Sequence, residues 1–511
     1  MNNIVNIVNF IRAIEPRVGR GELDLFEPVR EQMAMAKRLK LPTTWLLQYD
    51  ALIQGPFVEF LKREMPENHE VGIWFETVQP NVEAAGIKWR GRWAWDWHTD
   101  VGFSVGYTPQ ERERIADVFV AKFAEIFGRK PAVMGSWLFD AHLLEYLWRE
   151  HGLRTACNCK DQYGTDGYTL WGGYWANAYY PSRKNSYLPA QHESGQIPVP
   201  VFRMLGSDPL YQYTAGVGGN GQSVITLEPV YEGIGGGSKP WIDWFLRENF
   251  REPHFAMAYA QAGQENSFGW PKMRPGLPYQ YERLARLRDE GAIRVETLGE
   301  SGEWFRQNFR VTPVSAVVTL EDWKKEDHAG VWYLSRFGRL NLFRTEKREL
   351  TIRDWQLFDE NCEEPFLNSV CRTPACTYDA LPVMDGMLWH PAAIALPGGP
   401  GGFGAIERLD DETMRIEWKR DNGGIVTITL KPGTVLLEFP QEAEALEFRF
   451  DPAVAERHRT AVELEAGRLE FRHNRRSYRL LAEAGAIERT SGGCRLAAAG
   501  KVLKLRTEVD A

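Results

Sequence analysis

The chain has 511 residues, 43% hydrophobic and 25% charged, the composition of a globular protein too long for one ordinary core. A formal net charge of −8 excludes a general nucleic-acid or membrane-surface binder, since both need a basic face. No apolar run is long enough to span a bilayer, so the starting expectation is one large domain with a smaller one beside it.

The N-terminus, Met-Asn-Asn-Ile-Val-Asn-Ile-Val-Asn-Phe, has no positively charged leader and reads as a first strand, not a signal peptide. Strands are predicted at 4–13, 43–49, 71–76, 132–139, 155–160, 197–204, 255–260 and 293–297. Amphipathic runs at 25–39, 109–127, 141–151, 241–250 and 279–290 fall between most of them. About eight βα units predict an α/β fold, a (β/α) TIM-like barrel. An open doubly wound sheet is the alternative, weakened in its dinucleotide-binding form by the lack of GxGxxG after the first strand. The link between the sixth and seventh strands is glycine-rich at 216–221 and 233–239, without the Gly-Lys-Ser/Thr of a phosphate loop. It reads as a lid or binding loop, or as a surface excursion.

Beyond about residue 311 the texture changes to period-2 stretches at 314–320, 331–337, 415–419, 425–430, 435–439 and 446–450. Asp421-Asn-Gly-Gly424 between two of them is a hairpin signal. The expected division is a catalytic barrel domain at 1–310 and a C-terminal antiparallel β-sandwich-like domain at 311–511. The six cysteines (157, 159, 362, 371, 376 and 494) form no paired CxxC signature and read as free thiols of a cytoplasmic protein.

In a barrel, chemistry sits where the strands end. The first strand delivers Arg12, Glu15 and Arg17, with Asp24 close behind. Glu15 fits a general base, a metal ligand or one half of an ion pair with Arg17, and Asp24 a base or a helix cap. The second and third strands end in Gln48-Tyr-Asp50 and Glu76-Thr77. Then comes the densest stretch, Trp89 through Trp93-Ala-Trp95-Asp96-Trp97-His98-Thr-Asp100, where four tryptophans interleave with acids and an imidazole. Burying such polar groups demands partners, which suits a pocket that stacks a ring and moves protons. Trp95, His98 and Asp100 are therefore substrate-binding candidates. Strand four brings Asp140 and His142, the imidazole being a proton donor near neutral pH. Strand six brings Arg203, suited to a carboxylate. Polar–aromatic clusters also follow strand five, around Asp161 and Asp166, and strand seven, at Gln264-Glu265-Asn266. Glu15, His98 and His142 make a conceivable metal triad, but GxSxG and HExxH are absent.

Four features together resemble the glycoside hydrolase/deacetylase barrel superfamily over roughly the first 300 residues. They are the first-strand acid, the Asp96–Asp100 segment, the strand running from Arg129 to Trp137, and the helix that follows it. Polysaccharide deacetylases of that superfamily hold a divalent metal with an Asp and a spaced HxxxH pair. Here His98-Thr-Asp-Val-Gly102 lacks the second histidine. The pattern is most similar to glycoside hydrolase family 156, the inverting exosialidases. That resemblance implies Glu15 or Asp24 as base, His142 as acid, and Arg203 as the contact to a sialic carboxylate. Arg17, Asp140, His98, Asp100 and Trp95 would then line the substrate. It also implies a glycan substrate, sialylated or otherwise, with no cofactor and no metal. A metal-dependent sugar deacetylase and a non-catalytic carbohydrate-binding barrel remain the alternatives, and a homodimer is left open.

Overall fold

A computed structural model describes residues 2–17, 23–159, 161–211, 225–387, 389, 392–465 and 467–509. Eight parallel strands organise its first part: β1 (Asn3–Ile11), β2 (Thr44–Leu47), β3 (Glu70–Trp74), β4 (Val133–Ser136), β5 (Thr155–Asn158), β6 (Val201–Arg203), β7 (Ala258–Ala262) and β8 (Arg294–Glu296). β1 pairs with β2, β7 and β8 and is buried along its whole length. Its asparagines recur every third residue, and each is bound by a neighbouring element. Asn6 donates to the Glu296 carbonyl and to Ser301 Oγ, and Asn9 Oδ1 accepts the Gln264 N–H. A buried polar side chain is tolerated only when satisfied in this way.

Seven helices of ten or more residues accompany the strands among the described residues: α1 (Glu27–Leu39), α2 (Gly55–Glu64), α3 (Pro109–Phe127), α4 (Ala141–His151), α5 (Lys239–Asn249), α6 (Leu277–Asp289) and α7 (Leu298–Asn308). α3 shows why their ends were readable in sequence. Thr108 and Glu111 form a reciprocal capping box, Pro109 opens the first turn, and Gly128 closes the last one at φ 70°.

The expected closed ring does not form among the described residues. The sheet runs β7-β1-β2-β3-β4-β5-β6, and β8 also pairs with β1, at Ile4–Asn6, so it does not come between β7 and β1. No backbone ladder joins β6 to β7. Instead β6 pairs antiparallel with Ala178–Tyr179. Side chains fill the gap: Phe202 packs on Tyr259 at 5.0 Å between ring centroids, and Asn177 donates to the Met257 carbonyl. The result is a curled parallel sheet. The glycine-rich stretch at 216–221 lies outside the described residues, whereas that at 233–239 forms a tight turn leading into α5.

The C-terminal region is antiparallel. A nine-stranded sheet begins with Ser315–Thr319, Ala329–Ser335, Gly338–Arg344 and Leu350–Leu357, and an eight-stranded sheet contains Met414–Arg420, Ile425–Lys431 and Thr434–Glu438. Leu342, Ile352 and Ile394 of the first face Ile428, Val435 and Leu437 of the second across a narrow apolar gap. Two sheets stacked on alternating apolar residues make a sandwich. One further strand, Cys376–Asp379, pairs parallel with Tyr168–Trp171 of a hairpin inserted after β5. The C-terminal chain thus completes a small sheet beside the parallel-strand ends.

Candidate functional site

The ends of β1, β3 and β7 bring together a buried group of opposite charges. Arg12, 1% exposed, places Nη2 2.8 Å from Glu265 Oε2 and 3.4 Å from Glu76 Oε2. Arg17 pairs with Glu15 at 2.5 Å and stands 3.7 Å from Glu265 and 3.8 Å from Asp166. The Trp95 indole lies under both guanidiniums, at 4.1 and 4.9 Å, and its Nε1–H donates to Glu76 Oε2 at 2.9 Å. Arg17 and Asp166, both part-exposed, form the outer rim.

Local chemistry holds each member in place. Asn266 Oδ1 accepts the Arg12 N–H while its Nδ2 donates to the Arg12 carbonyl, tying the end of β7 to the end of β1. Gly263 makes this approach possible. Its φ is 95°, and a Cβ there would sit 2.3 Å from the Val8 carbonyl oxygen. Asp50 accepts the Ala13 N–H and so ties β2 to β1. The tryptophan-rich loop is fastened to the end of β3 by the Val78–Trp95 bridge and the bond from Gln79 N–H to the Ala94 carbonyl. Asp166 comes from the tip of the hairpin after β5, next to Gly167, whose φ of 83° allows close contact with the Pro374 carbonyl.

The electrostatics separate these carboxylates. Burial pushes Glu76 up to about 7 against the pull of Arg12, and the nearby charge of Glu265 adds to the rise. Glu15 goes the other way. Burial would raise it, but the hydrogen bond from Arg17 and the charges of Arg12 and Arg17 hold it below the usual carboxylate range. Burial raises Asp166, opposed by Arg17, and raises Asp50 to about 6. Several polar atoms here lack partners among the described residues: Arg12 Nε and Nη1, and Glu76 Oε1. A carboxyl raised to about 7 close to one held below the usual range is an arrangement suited to acid–base work.

Of the residues anticipated from sequence, Glu15, Arg17 and Trp95 fall within this group. Asp24 is exposed and accepts the N–H groups of Phe26 and Glu27 at the entry to α1. Asp140 caps α4 through the Leu143 N–H and is buried against Arg112 at 3.0 Å. His142 lies on the first turn of α4, bound to Glu113 of α3 at 3.0 Å. His98 stands at the start of a short helix with its ring against Trp97, and Asp100 follows it, with a buried Oδ1 that has no partner among the described residues. Arg203 is buried at the end of β6, where Nη1 donates to Asn158 Oδ1 at 2.5 Å and Nε and Nη2 have no partner among the described residues. Glu15, His98 and His142 do not converge on one another. Among the described residues no group of three or more His, Cys, Asp or Glu side chains is placed to hold a metal ion. Arg12, Glu76, Asp166 and Glu265 lay in stretches visible in the sequence, but which of them meet depends on β1 running between β2 and β7.

Comparison with known proteins gives a likeness of fold. No family profile matches the chain, and no curated protein does. A Parabacteroides distasonis protein, provisionally described as a glycoside hydrolase/deacetylase, superposes with a TM-score of 0.56 at 17% identity, covering 74% of this chain and 91% of its own. Two polysaccharide deacetylase candidates align more weakly. The one from Mycobacterium smegmatis has a TM-score of 0.38 at 13% identity, and the one from Pseudomonas aeruginosa 0.36 at 12%. Each covers 60% of this chain, with 91% and 92% of its own length respectively. At such scores these two carry no weight, and what is shared with the first is the fold.

Proposed function

We propose that the chain is a carbohydrate-active hydrolase that cleaves a glycosidic bond with Glu76 as general acid and Glu265 as its partner carboxylate. The observation that carries this reading is the shared contact of both with Arg12 Nη2, at 3.4 and 2.8 Å, with Glu76 raised to about 7. Glu76 gives its proton to the leaving oxygen. Glu265, held by Arg12 and by the Ser267 hydroxyl at 2.7 Å, meets the developing cation. Two oxygens bound to one nitrogen at those distances lie closer together than the roughly 6.5–9.5 Å that an inverting displacement through water requires. With these two residues the spacing favours double displacement and retention, in place of the inversion that the family 156 resemblance implied. Arg17 and Asp166, both part-exposed, form the rim that the sugar meets, and Trp95 supports Arg17 from beneath.

Arg203 supports an acidic sugar as substrate, because its buried guanidinium has two nitrogens, Nε and Nη2, without partners among the described residues and matches a carboxylate. A 2-linked chromogenic sialoside is therefore the first substrate to try, within a panel of glycosides and acetylated sugars run with and without chelator. The expected result is aglycone release that chelator leaves unchanged and that Glu76→Gln and Glu265→Gln each reduce by about 100-fold or more. Full activity in both variants overturns the assignment. Turnover confined to acetylated sugars and lost with chelator overturns it in favour of a deacetylase.

A further inference from the structure

A cavity of about 190 Å³ lies where the hairpin after β5 meets the C-terminal sheets. One wall is aromatic: Tyr163 and Trp171 from the hairpin, set edge to face at 6.4 Å, and Trp389 from the C-terminal chain. The Trp389 Nε1–H is buried and has no partner among the described residues. A buried donor without an acceptor is destabilising, so a ligand oxygen that reached it would be stabilising. The opposite wall is cationic. Arg457 and Arg459 leave the short helix Pro452–Arg457, and neither forms an ion pair among the described residues. The acid in the lining, Asp379, paired in register with Trp171, is already engaged by His473 at 2.9 Å and by Asn474 at 2.6 Å. The cavity therefore has flat aromatic faces, with a buried donor and two guanidiniums that have no partners among the described residues.

We propose that this cavity is a second ligand site, and that its ligand is a carboxylated pyranose. The ring packs on Trp171 and Tyr163, a ring oxygen or hydroxyl accepts from Trp389, and the carboxylate meets Arg457 and Arg459. The inference rests on the carbohydrate reading above but not on the catalytic roles given to Glu76 and Glu265. It also ties the cavity to the catalytic group. Tyr163 and Thr169 stand three residues from Asp166 on the same hairpin, about 10 Å of extended chain.

The test is direct binding to the full chain, followed by tryptophan fluorescence and by calorimetry, with D-glucuronate as the probe and D-glucose and inorganic phosphate as comparisons. Glucuronate is expected to saturate, to bind at least about tenfold more tightly than either comparison, and to be weakened at least about tenfold by the double variant Arg457→Gln/Arg459→Gln. Glu76→Gln is expected to bind it like the unaltered chain, which separates this site from the catalytic one. Trp389→Phe removes only the donor and is expected to weaken binding further. If that buried change lowers the melting temperature, the exposed arginine pair still carries the test. The proposal is overturned if glucuronate does not saturate, if the double variant binds it unchanged, or if phosphate binds as tightly.

Discussion

Two corners of the parallel sheet look alike in sequence and differ in structure. Each sets a buried arginine against a strand-end carboxylate: Arg12 with Glu265 and Glu76 at the ends of β1, β7 and β3, and Arg112 with Asp140 at the end of β4. Arg112 is fully engaged. Its Nε donates to the Ser104 and Tyr107 carbonyls, Nη1 to Asp140, and Nη2 to the Phe366 and Ser369 carbonyls. Asp140 in turn accepts from Ser104 Oγ and the Leu143 N–H. Glu364 completes this corner from the C-terminal chain, accepting the N–H groups of Ala141 and Ser186. At the other corner Arg12 leaves two nitrogens and Glu76 one oxygen without partners among the described residues, and Glu76 rises to about 7. A saturated ion pair fixes one conformation, whereas an unsaturated one keeps interaction energy for something that arrives. The first corner is a clasp between the two halves of the chain, and the second is the proposed site.

The largest expected effects divide along that line. Glu76→Gln and Glu265→Gln keep shape and burial, so they should cost about 100-fold or more in kcat/KM while moving the melting temperature little. Asp140→Ala strands a buried guanidinium, and should cost about 3–5 kcal/mol in chemical denaturation. Any loss of kcat in Asp140→Ala should follow the folded fraction. If Asp140→Ala is as stable as the unaltered chain but inactive, the two corners have been assigned the wrong way round.

The pH dependence sharpens the same contrast. Glu76 has a folded value near 7 against an ordinary 4.5. A carboxyl raised in this way favours the folded state fully below about 4.5, and the contribution is lost as the pH rises through 7. Its acid form disappears over the same interval. kcat/KM should therefore decline above about pH 7, by about tenfold per unit once past it, and that alkaline limb should be missing from the residual activity of Glu76→Gln. Glu364, raised by burial and then by the charge of Asp140, gives a stability loss of the same sign toward alkaline pH without a matching activity limb. Denaturation and activity profiles measured in parallel separate the two.

Local rules made the element positions legible. The strand expected at 155–160 begins at Thr155, and the helices expected at 109–127 and 141–151 are Pro109–Phe127 and Ala141–His151. Caps, prolines and terminal glycines act within a turn or two, and the sequence shows them directly. Closure of the ring was not legible, because it depends on which strand β8 chooses, and β1 offers Ile4–Asn6 to it while already paired to β7. The proposed catalytic group was legible only in pieces. Glu15 and Arg17 are two residues apart, but Arg12 and Glu265 are separated by most of the first 300 residues. His142 illustrates the converse. Next to Asp140 it looked like a residue over the mouth, yet the first turn of α4 directs it to Glu113.

The smallest expected effect concerns that histidine. His142 and Glu113 are each about one-third exposed, with ring Nε2 3.0 Å from the carboxylate, between two helices that pack on the outside of the sheet. An exposed ion pair of this kind contributes from nothing to about 1 kcal/mol, and only while the imidazole is charged. His142→Ala should therefore change unfolding free energy by less than about 1 kcal/mol and leave kcat/KM within about twofold, with the alkaline limb above pH 7 intact. If the limb disappears in His142→Ala and persists in Glu76→Gln, the proton donor is the imidazole. The helix pair α3–α4 would then have to open toward the strand ends during turnover, and the distinction between clasp and site would fail at its simplest point.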